Sequence, residues 1–336
     1  MTEPRKNIDQ YWEEFVDFLR KPNRNGYPDF FYHYTRHIMR RQGFEKYVLN
    51  AKYLFELCHR PIKGAKILDV GCGFGIDSMI FASLGAEVYG IDVNPDWIET
   101  IHAYLTDLKW DLPIETKVGD ASKLDYPDNT FDVVLSVEAI SHYRDVDNFL
   151  EESFRVSRRG GVLIVSDGNN GANPRIRRKT HEIWRRFEHG PPTDSFYGHQ
   201  IKRSFIDMRR EIITKNFPDL SPAKVPELAK NTFGMGDKEI VAAVADYLQN
   251  GAKPDSPFKA GVPAFNPIKN DYIERLFDPN SLVRQMNQIG FNAKAYAHFG
   301  GAGQRGVIGT ANAILRAFSP ITMQAARAFK IVASKP

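Results

Sequence analysis

The chain is poor in cysteine: of 336 residues only Cys58 and Cys72 carry a thiol. A disulfide framework is thereby excluded, and Cys72 sits inside a glycine turn where pairing is awkward, so a reducing compartment and a cytoplasmic location are expected. Long apolar runs are missing as well. No stretch approaches the roughly 20 residues needed to cross a bilayer, and the opening MTEPRKNIDQ lacks the apolar centre of a secretory signal. There is no internal repeat and no long low-complexity tract. One absence is local: after Asp278 the chain has no acidic residue, while Arg284, Lys294, Arg305, Arg316, Arg327, Lys330 and Lys335 remain. A second basic stretch lies between residues 160 and 215, with eleven Lys or Arg against six acids. The formal net charge of the whole chain is only +4, so these are patches. They are either solvated helix faces or surfaces for an anionic partner: phosphate, nucleic acid or a membrane surface.

What the chain does have is concentrated in residues 66–75, KILDVGCGFG. A short apolar run (Ile67, Leu68, Val70) contains Asp69 and leads into glycines at alternate positions, Gly71, Gly73 and Gly75. A helix-like stretch follows, then EVYGID, a second apolar run closing on Asp92. Glycines at a strand-to-helix turn let the backbone approach a ligand with no Cβ between them. The helix that starts there offers unpaired N–H groups, and an acid closing the next strand can accept two hydrogen bonds from a ribose diol. The segment reads as a nucleoside crevice at the carboxyl ends of parallel strands. Its spacing is GxGxG, not the GxGxxG that cradles a pyrophosphate, and the acid two residues before the first glycine suits a cofactor with a cationic end. A literal GxGxxG does occur as GAGQRG at 301–306, but the acid required about 20 residues later does not exist. That motif reads as a turn at the pocket mouth.

Residues 66–92 resemble the first two motifs of class I S-adenosylmethionine (SAM)-dependent methyltransferases. The resemblance continues over residues 64–168, about a third of the chain. KVGDAS (117–122) is similar to the third strand and its following acid. FDVVLS is the near-continuous apolar run of a doubly covered parallel strand, and SVEAISHY the loop after it. NFLEESFRVSRRGGVLIVSD (148–167) resembles the next helix, a turn at Gly160 and Gly161, and the fifth strand. The resemblance implies an α/β fold, a Rossmann-like doubly wound seven-stranded sheet, with SAM as cofactor. It places Asp69, Gly71, Cys72, Gly73 and Gly75 at the methionine end, Asp92 on the ribose hydroxyls, Val93 beside the adenine and Asp120 on the adenine amino group. Ala121 and Ser136 complete the cofactor-binding set. The loop after the fourth strand is where the family places catalytic groups; here His142 and Glu138 are the titratable candidates. A histidine, with an ordinary pKa of about 6.5, suits the removal of a hydroxyl proton, whereas Glu138 suits ordering of the loop or of the methionine end.

Outside that region the pattern divides the chain further. Residues 1–60 form an N-terminal helical segment, with Ile8, Tyr11, Trp12, Phe15, Phe18 and Leu19 at helical spacing. Residues 61–168 and 279–336 form the SAM-binding core, the latter supplying a helix closed by Gly290 and two strands, NAKAYAHF and FKIVASKP. Residues 169–278 are an inserted helical cap between strands 5 and 6, with helices in THEIWRRFEH and DKEIVAAVADYLQNG. This insert is the expected acceptor-binding part, through Arg177, Arg178, Trp184, Tyr197 and His199.

Several chemistries are excluded. SVEA is not the [DN]PP[YF] motif used on exocyclic amines, neither cysteine follows the fourth strand as cytosine C5 methylation requires, and the aspartate pair of aminopropyl transferases is missing. No tight His/Asp/Glu cluster marks a metal. The expected function is methyl transfer from SAM to a small-molecule or saccharide acceptor, chiefly O-methylation of a polar or anionic one. Alternatives are a non-catalytic SAM-binding module, an N-methyltransferase of a natural product and, less compatible with the glycine spacing, an NAD-dependent oxidoreductase. No nucleic-acid partner is favoured, a peripheral membrane contact is allowed by the basic patches, and the oligomeric state is open.

Overall fold

The computed structural model describes residues 6–21, 26–259, 261–300 and 306–336. These fall into two compact units: the first takes the described residues of Met1–Ile140, Asp145–Gly168 and Pro279–Pro336, the second Ser141–Arg144 and Asn169–Asp278. The GAGQRG turn lies outside the described residues except for its last glycine.

The first unit begins with three helices, α1 (Ile8–Arg20), α2 (Asp29–Thr35) and α3 (Arg41–Leu57). Asn7 and Gln10 form a reciprocal capping box at the start of α1, which satisfies two of its otherwise unpaired N–H groups. Then strands and helices alternate: β1 (Lys66–Val70), α4 (Ile76–Ser83), β2 (Glu87–Asp92), α5 (Pro95–Asp107), β3 (Ile114–Val118), β4 (Phe131–Val137), α6 (Val146–Val156) and β5 (Ser157–Asp167). After the second unit's α7 (Pro174–His189), β6 (Thr193–Phe196), β7 (His199–Ile201), α8 (Phe205–Asn216), α9 (Val225–Asn231), α10 (Asp237–Asn250), β8 (Phe265–Asn266) and β9 (Asp271–Tyr272), the first unit resumes. It ends in α11 (Pro279–Ile289), β10 (Asn292–His298), α12 (Gly306–Ala317), α13 (Ser319–Thr322) and β11 (Ala328–Ser334).

The sheet order is β10-β11-β5-β4-β1-β2-β3. Strands β1 to β5 pair in parallel, and β11 inserts antiparallel between β5 and β10. Ile67, Leu68, Val70, Val133, Val134 and Leu135 are all closed to solvent, as expected of central parallel strands covered on both faces. The order reverses between β1 and β4, and ligands of open α/β sheets bind outside the carboxyl ends of strands at such a reversal. The aromatic N-terminal segment packs on this end. Phe31 stacks on Tyr104 with ring centroids 5.9 Å apart and meets Phe74 of the glycine turn edge-on at 5.3 Å.

The second unit has its own small cores. Ile213, Leu228, Ala229, Ile240 and Val244 form one, and Trp184, Phe205 and Ala264 another. The expected helices are there, with Gly251 capping α10 at φ +75°, but the insert is not purely helical. Two short hairpins, β6–β7 and β8–β9, are added. The first turns through Tyr197 and Gly198, both at positive φ (52° and 92°), the conformation that tight two-residue hairpins demand. The basic stretch is also not all surface: Arg209 is fully buried, pairs with the Glu188 carboxylate and donates through Nε to Ala229 O at 2.7 Å. Removing one partner of such a pair strands the other charge in the interior.

Candidate active site

The strand-end residues meet as the glycine spacing requires. Gly71 and Cys72 both donate to Ile91 O, at 2.8 and 3.0 Å. Gly73 N donates to Asp92 Oδ2 and Asn94 N to Asp92 Oδ1, each at 2.9 Å. The acid at the end of β2 thus fastens the turn at the end of β1. Gly75, at φ +71°, precedes α4, and a Cβ there would lie 3.1 Å from both Ile101 Cδ1 and the Tyr104 hydroxyl. At Gly73, φ +56°, an added Cβ would have only the Tyr34 hydroxyl within reach, at 3.8 Å. One glycine is therefore fixed by packing and conformation, the other by conformation on the open side of the turn.

Asp69 lies beneath the turn, 2% exposed, its Oδ2 accepting from the Ser78 hydroxyl at 2.6 Å. Ser136 is fully buried within β4. At the other end, Val93 stands 68% exposed just past Asp92, and Val118 is 52% exposed at the end of β3. Asp120 is exposed, its Oδ1 held by Ser122 N and Oγ at 2.8 Å each, and Ala121 is half-buried beside it. An aromatic wall completes this side: Phe30 stacks on Trp97 at 6.1 Å, Trp97 meets Phe74 at 5.2 Å, and Tyr34 meets Phe74 at 5.4 Å. The aromatic run at 30–34 was its only signal.

Between β4, β5 and β11 lies a second group. Glu138 adopts a left-handed backbone at φ +50°. Its N–H donates to Ser166 O at 2.7 Å and its Oε2 accepts from Gly168 N at 3.0 Å, clasping the ends of β4 and β5. Lys330, buried in β11, donates to Ser166 Oγ at 2.8 Å and to Asn50 Oδ1 at 2.9 Å. Burial pushes the Asp69 carboxyl up to about 7, helped by Asp77 and Asp92 and opposed by Ser78. It pushes Asp77 up to about 6 against the pull of Lys330. Burial brings the Lys330 ammonium down to about 8, against Glu138 and Asp77. The crevice holds more buried carboxylate than cation.

In the second unit, His142 closes a 3-10 turn (Ile140–His142) five residues past the end of β4. Its Nδ1 lies 3.0 Å from Tyr272 O. A carbonyl only accepts, so Nδ1 carries the proton and Nε2 is left as the basic nitrogen. Asp271, which precedes Tyr272, has a buried Oδ1 without a hydrogen-bond partner in this structure. Burial raises its carboxyl, with His142 and Lys269 opposing. His199 also belongs here: burial lowers its imidazole, Glu274 opposes, and Lys179 and His142 add to the lowering. Its Nε2 is 4.0 Å from Glu274 Oε1. The remaining acceptor-binding expectations divide. Arg177 lines a cavity of about 250 Å³ with His181, Trp184 and Arg275. Arg178 is exposed and is not part of that lining. Trp184 is not the stacking platform expected: it is 2% exposed, its indole N–H donates to Ile273 O at 2.6 Å, and the ring belongs to the core. Tyr197, half exposed at its hairpin tip, donates to Glu182 Oε2 at 2.7 Å.

Comparison with known proteins bears on the first unit. Residues 68–165 match the family model described as "Methyltransferase domain". The chain carries a class I SAM-dependent methyltransferase domain. Over 107 residues it is 40% identical to a 2-methyl-6-phytyl-1,4-hydroquinone methyltransferase of Synechocystis sp., covering 32% of this chain and 33% of the relative. It is 36% identical over 112 residues to a ubiquinone biosynthesis O-methyltransferase of Pelagibacter ubique (33% and 45%). It is 34% identical over 105 residues to phosphoethanolamine N-methyltransferase 3 of Arabidopsis thaliana (31% and 21%). The chain thus spans less than half the length of these curated relatives, and the family match stops before α7.

The methyltransferase crevice fits its cofactor, SAM. Exposed Val93 and Val118 beside exposed Asp120 suit a flat heterocycle with an amino group, and the uncompensated carboxylates suit a ligand bearing a sulfonium and an ammonium. A pH dependence follows. In an unfolded chain an aspartate titrates near pH 3.9, so the folded domain holds extra protons on Asp69 and Asp77 as pH rises from about 4 to 7, and loses stability over that interval. A cationic ligand draws these protons off. SAM affinity is therefore expected to rise from about pH 5.5 to 7.5, with proton release read by calorimetry in buffers of different ionisation enthalpy. S-adenosylhomocysteine, lacking the sulfonium charge, is expected to show a weaker rise; equal slopes for the two would remove the electrostatic account.

Proposed function

We propose that this protein methylates a small acceptor at a hydroxyl oxygen, with His142 as the base. The observation that carries this reading is the fixed imidazole in the loop after β4: Tyr272 O holds the Nδ1 proton and leaves Nε2 free to take another. Bound SAM supplies an electrophilic methyl on a positively charged sulfur. The chain's part is to hold the acceptor oxygen in line with the C–S bond and to receive its proton at His142 Nε2 as the oxygen bonds to the methyl carbon and the C–S electron pair returns to sulfur. The ubiquinone biosynthesis O-methyltransferase names among the relatives support an oxygen acceptor.

The acceptor's second feature is an anionic group. Support comes from the cavity of about 250 Å³ lined by Arg177, His181 and Arg275 against one acid, Asp278, a size that suits a carboxylate or phosphate better than a whole cofactor. An acceptor screen read by S-adenosylhomocysteine release tests the activity directly; no product with any acceptor, despite SAM binding, would favour a non-catalytic SAM-binding module. With the best acceptor, Arg177→Glu is expected to raise KM about tenfold, the loss of one charge-assisted hydrogen bond, and leave SAM affinity intact. Arg178→Glu, outside the cavity, serves as the comparison. The wild-type KM is also expected to climb with salt, since exposed charges are screened over about 8–10 Å at physiological ionic strength. A KM indifferent to both would return Arg177 to the solvated surface.

A further inference from the structure

Between β10 and β11 the first unit makes an excursion through α12 and α13, where a simple antiparallel pair needs only a tight turn. Val307, Ala311 and Ile314 recur at steps of four and three along α12, a helical stripe that Phe318, in the turn after it, continues at a step of four. Ile321 extends the stripe by three more residues. Helices in globular proteins turn such a stripe inward. Here every one of these residues is exposed, Val307 by 87% and Ile321 by 77%, the two most exposed large apolar side chains among the described residues.

The outward orientation is fixed by bonds made on the other side. Arg316 donates to the Tyr53 hydroxyl of α3 at 2.7 Å, and its guanidinium lies 4.9 Å from that ring's centroid. Ala297 N of β10 donates to Ser319 Oγ at 2.9 Å. The Thr322 hydroxyl donates to Leu315 O at 2.7 Å, holding α13 against α12. The segment is thus anchored through its polar groups and presents its apolar ones.

Charge decides what the stripe meets. Residues 279–336 contain seven Lys or Arg and no acid. Lys330 is buried and Arg316 is turned to Tyr53, so neither meets the surface beside the stripe, but Arg327 is exposed six residues past Ile321. On α3, exposed Glu45 and Glu56 are balanced by exposed Lys46 and Lys52. A protein groove would need only the apolar stripe. An anionic lipid surface uses both features, apolar side chains entering the headgroup and acyl boundary by about 5–10 Å and Arg327 meeting the negative surface potential. We propose that α12 and α13 form a membrane-docking element, which lays Val307, Ile314, Phe318 and Ile321 onto an anionic bilayer.

Flotation of the full chain with phosphatidylcholine vesicles, with and without phosphatidylglycerol, tests this without reference to catalysis. Binding to the phosphatidylglycerol vesicles, weakened by salt, is the expected result. Val307→Glu and Ile321→Glu are each expected to lower the bound fraction about tenfold or more, since each puts a carboxylate in place of a buried apolar group. Both sites are exposed, so circular dichroism and thermal unfolding should match the wild type; if one variant misfolds, Phe318→Ser supplies the same reading. Equal binding to neutral vesicles would overturn the anionic assignment. Absent binding, or binding unchanged in the variants, would overturn the docking element itself. A dimer in sedimentation velocity that these substitutions dissociate, with no vesicle binding, would assign the stripe to a second copy of the chain.

Discussion

His142→Ala is expected to slow methyl transfer about 10²-fold or more while leaving SAM affinity nearly unchanged, the effect of deleting a positioned general base. The expectation rests on a single tautomer. Because Tyr272 O accepts from Nδ1 at 3.0 Å, the imidazole has one nitrogen to offer, and its orientation is set before any acceptor arrives. Asp271 refines the test. Its carboxyl, in the residue before Tyr272, is raised by burial and lowered by His142, so Asp271→Asn keeps the carbonyl contact and removes the carboxyl that interacts with the imidazole. A smaller loss in kcat, about tenfold, is expected there, with KM for the acceptor unaltered. Single-turnover rates at saturating acceptor are the deciding measurement. A near-normal rate for His142→Ala would mean that proximity suffices or that another group takes the proton.

Asp92→Ala is expected to weaken SAM binding at least about tenfold. The expected role of Asp92 is to accept from two ribose hydroxyls, each such bond being worth about 1.5–3 kcal/mol. The structure adds a second cost. Asp92 already accepts from Gly73 N and Asn94 N, so its removal leaves backbone donors of the glycine turn unanswered and loosens the surface that meets the cofactor. Thermal stability should fall along with affinity, by about 1–3 kcal/mol for a buried donor left unpaired. Calorimetry at a temperature where the variant is fully folded separates the two effects. Unchanged affinity under those conditions would remove Asp92 from the site.

The glycine turn and the strand-end acids were legible in the sequence because each has a local reason: a left-handed backbone, a strand terminus, a spacing that places both at one edge. Lys330 had none. A lysine within FKIVAS reads as an edge-strand residue reaching for water, and only the antiparallel pairing of Lys330 with Ser166, 164 residues away, turns it inward. Of the wall of Phe30, Tyr34 and Trp97 only the aromatic run at 30–34 was legible, as cofactor cover or as plain packing, until the fold set it beside Trp97 and Phe74. Trp184 shows the opposite error. An aromatic followed by arginines suggested a stacking surface, but α7 turns Arg185 outward, half-buries Arg186 against Phe196 and sets the indole into the core. Tyr197 was read for its ring, whereas its position before a glycine marked a hairpin turn.

The ends of the second unit carry a consequence for how such a protein diversifies. Phe277 N donates to Asn169 O at 3.0 Å and Gly171 N to Phe277 O at 2.7 Å, so the outgoing and returning chains are zipped together where the segment 169–278 begins and ends. A cassette whose two ends already touch can be exchanged for another of different length with little change in closure entropy. In the first unit, β5, which precedes it, keeps its register with β11 through their own ladder. Recognition of new acceptors can therefore be drafted into this scaffold as whole modules, each supplying its own carbonyl to orient His142, while the cofactor crevice of the first unit is inherited unchanged.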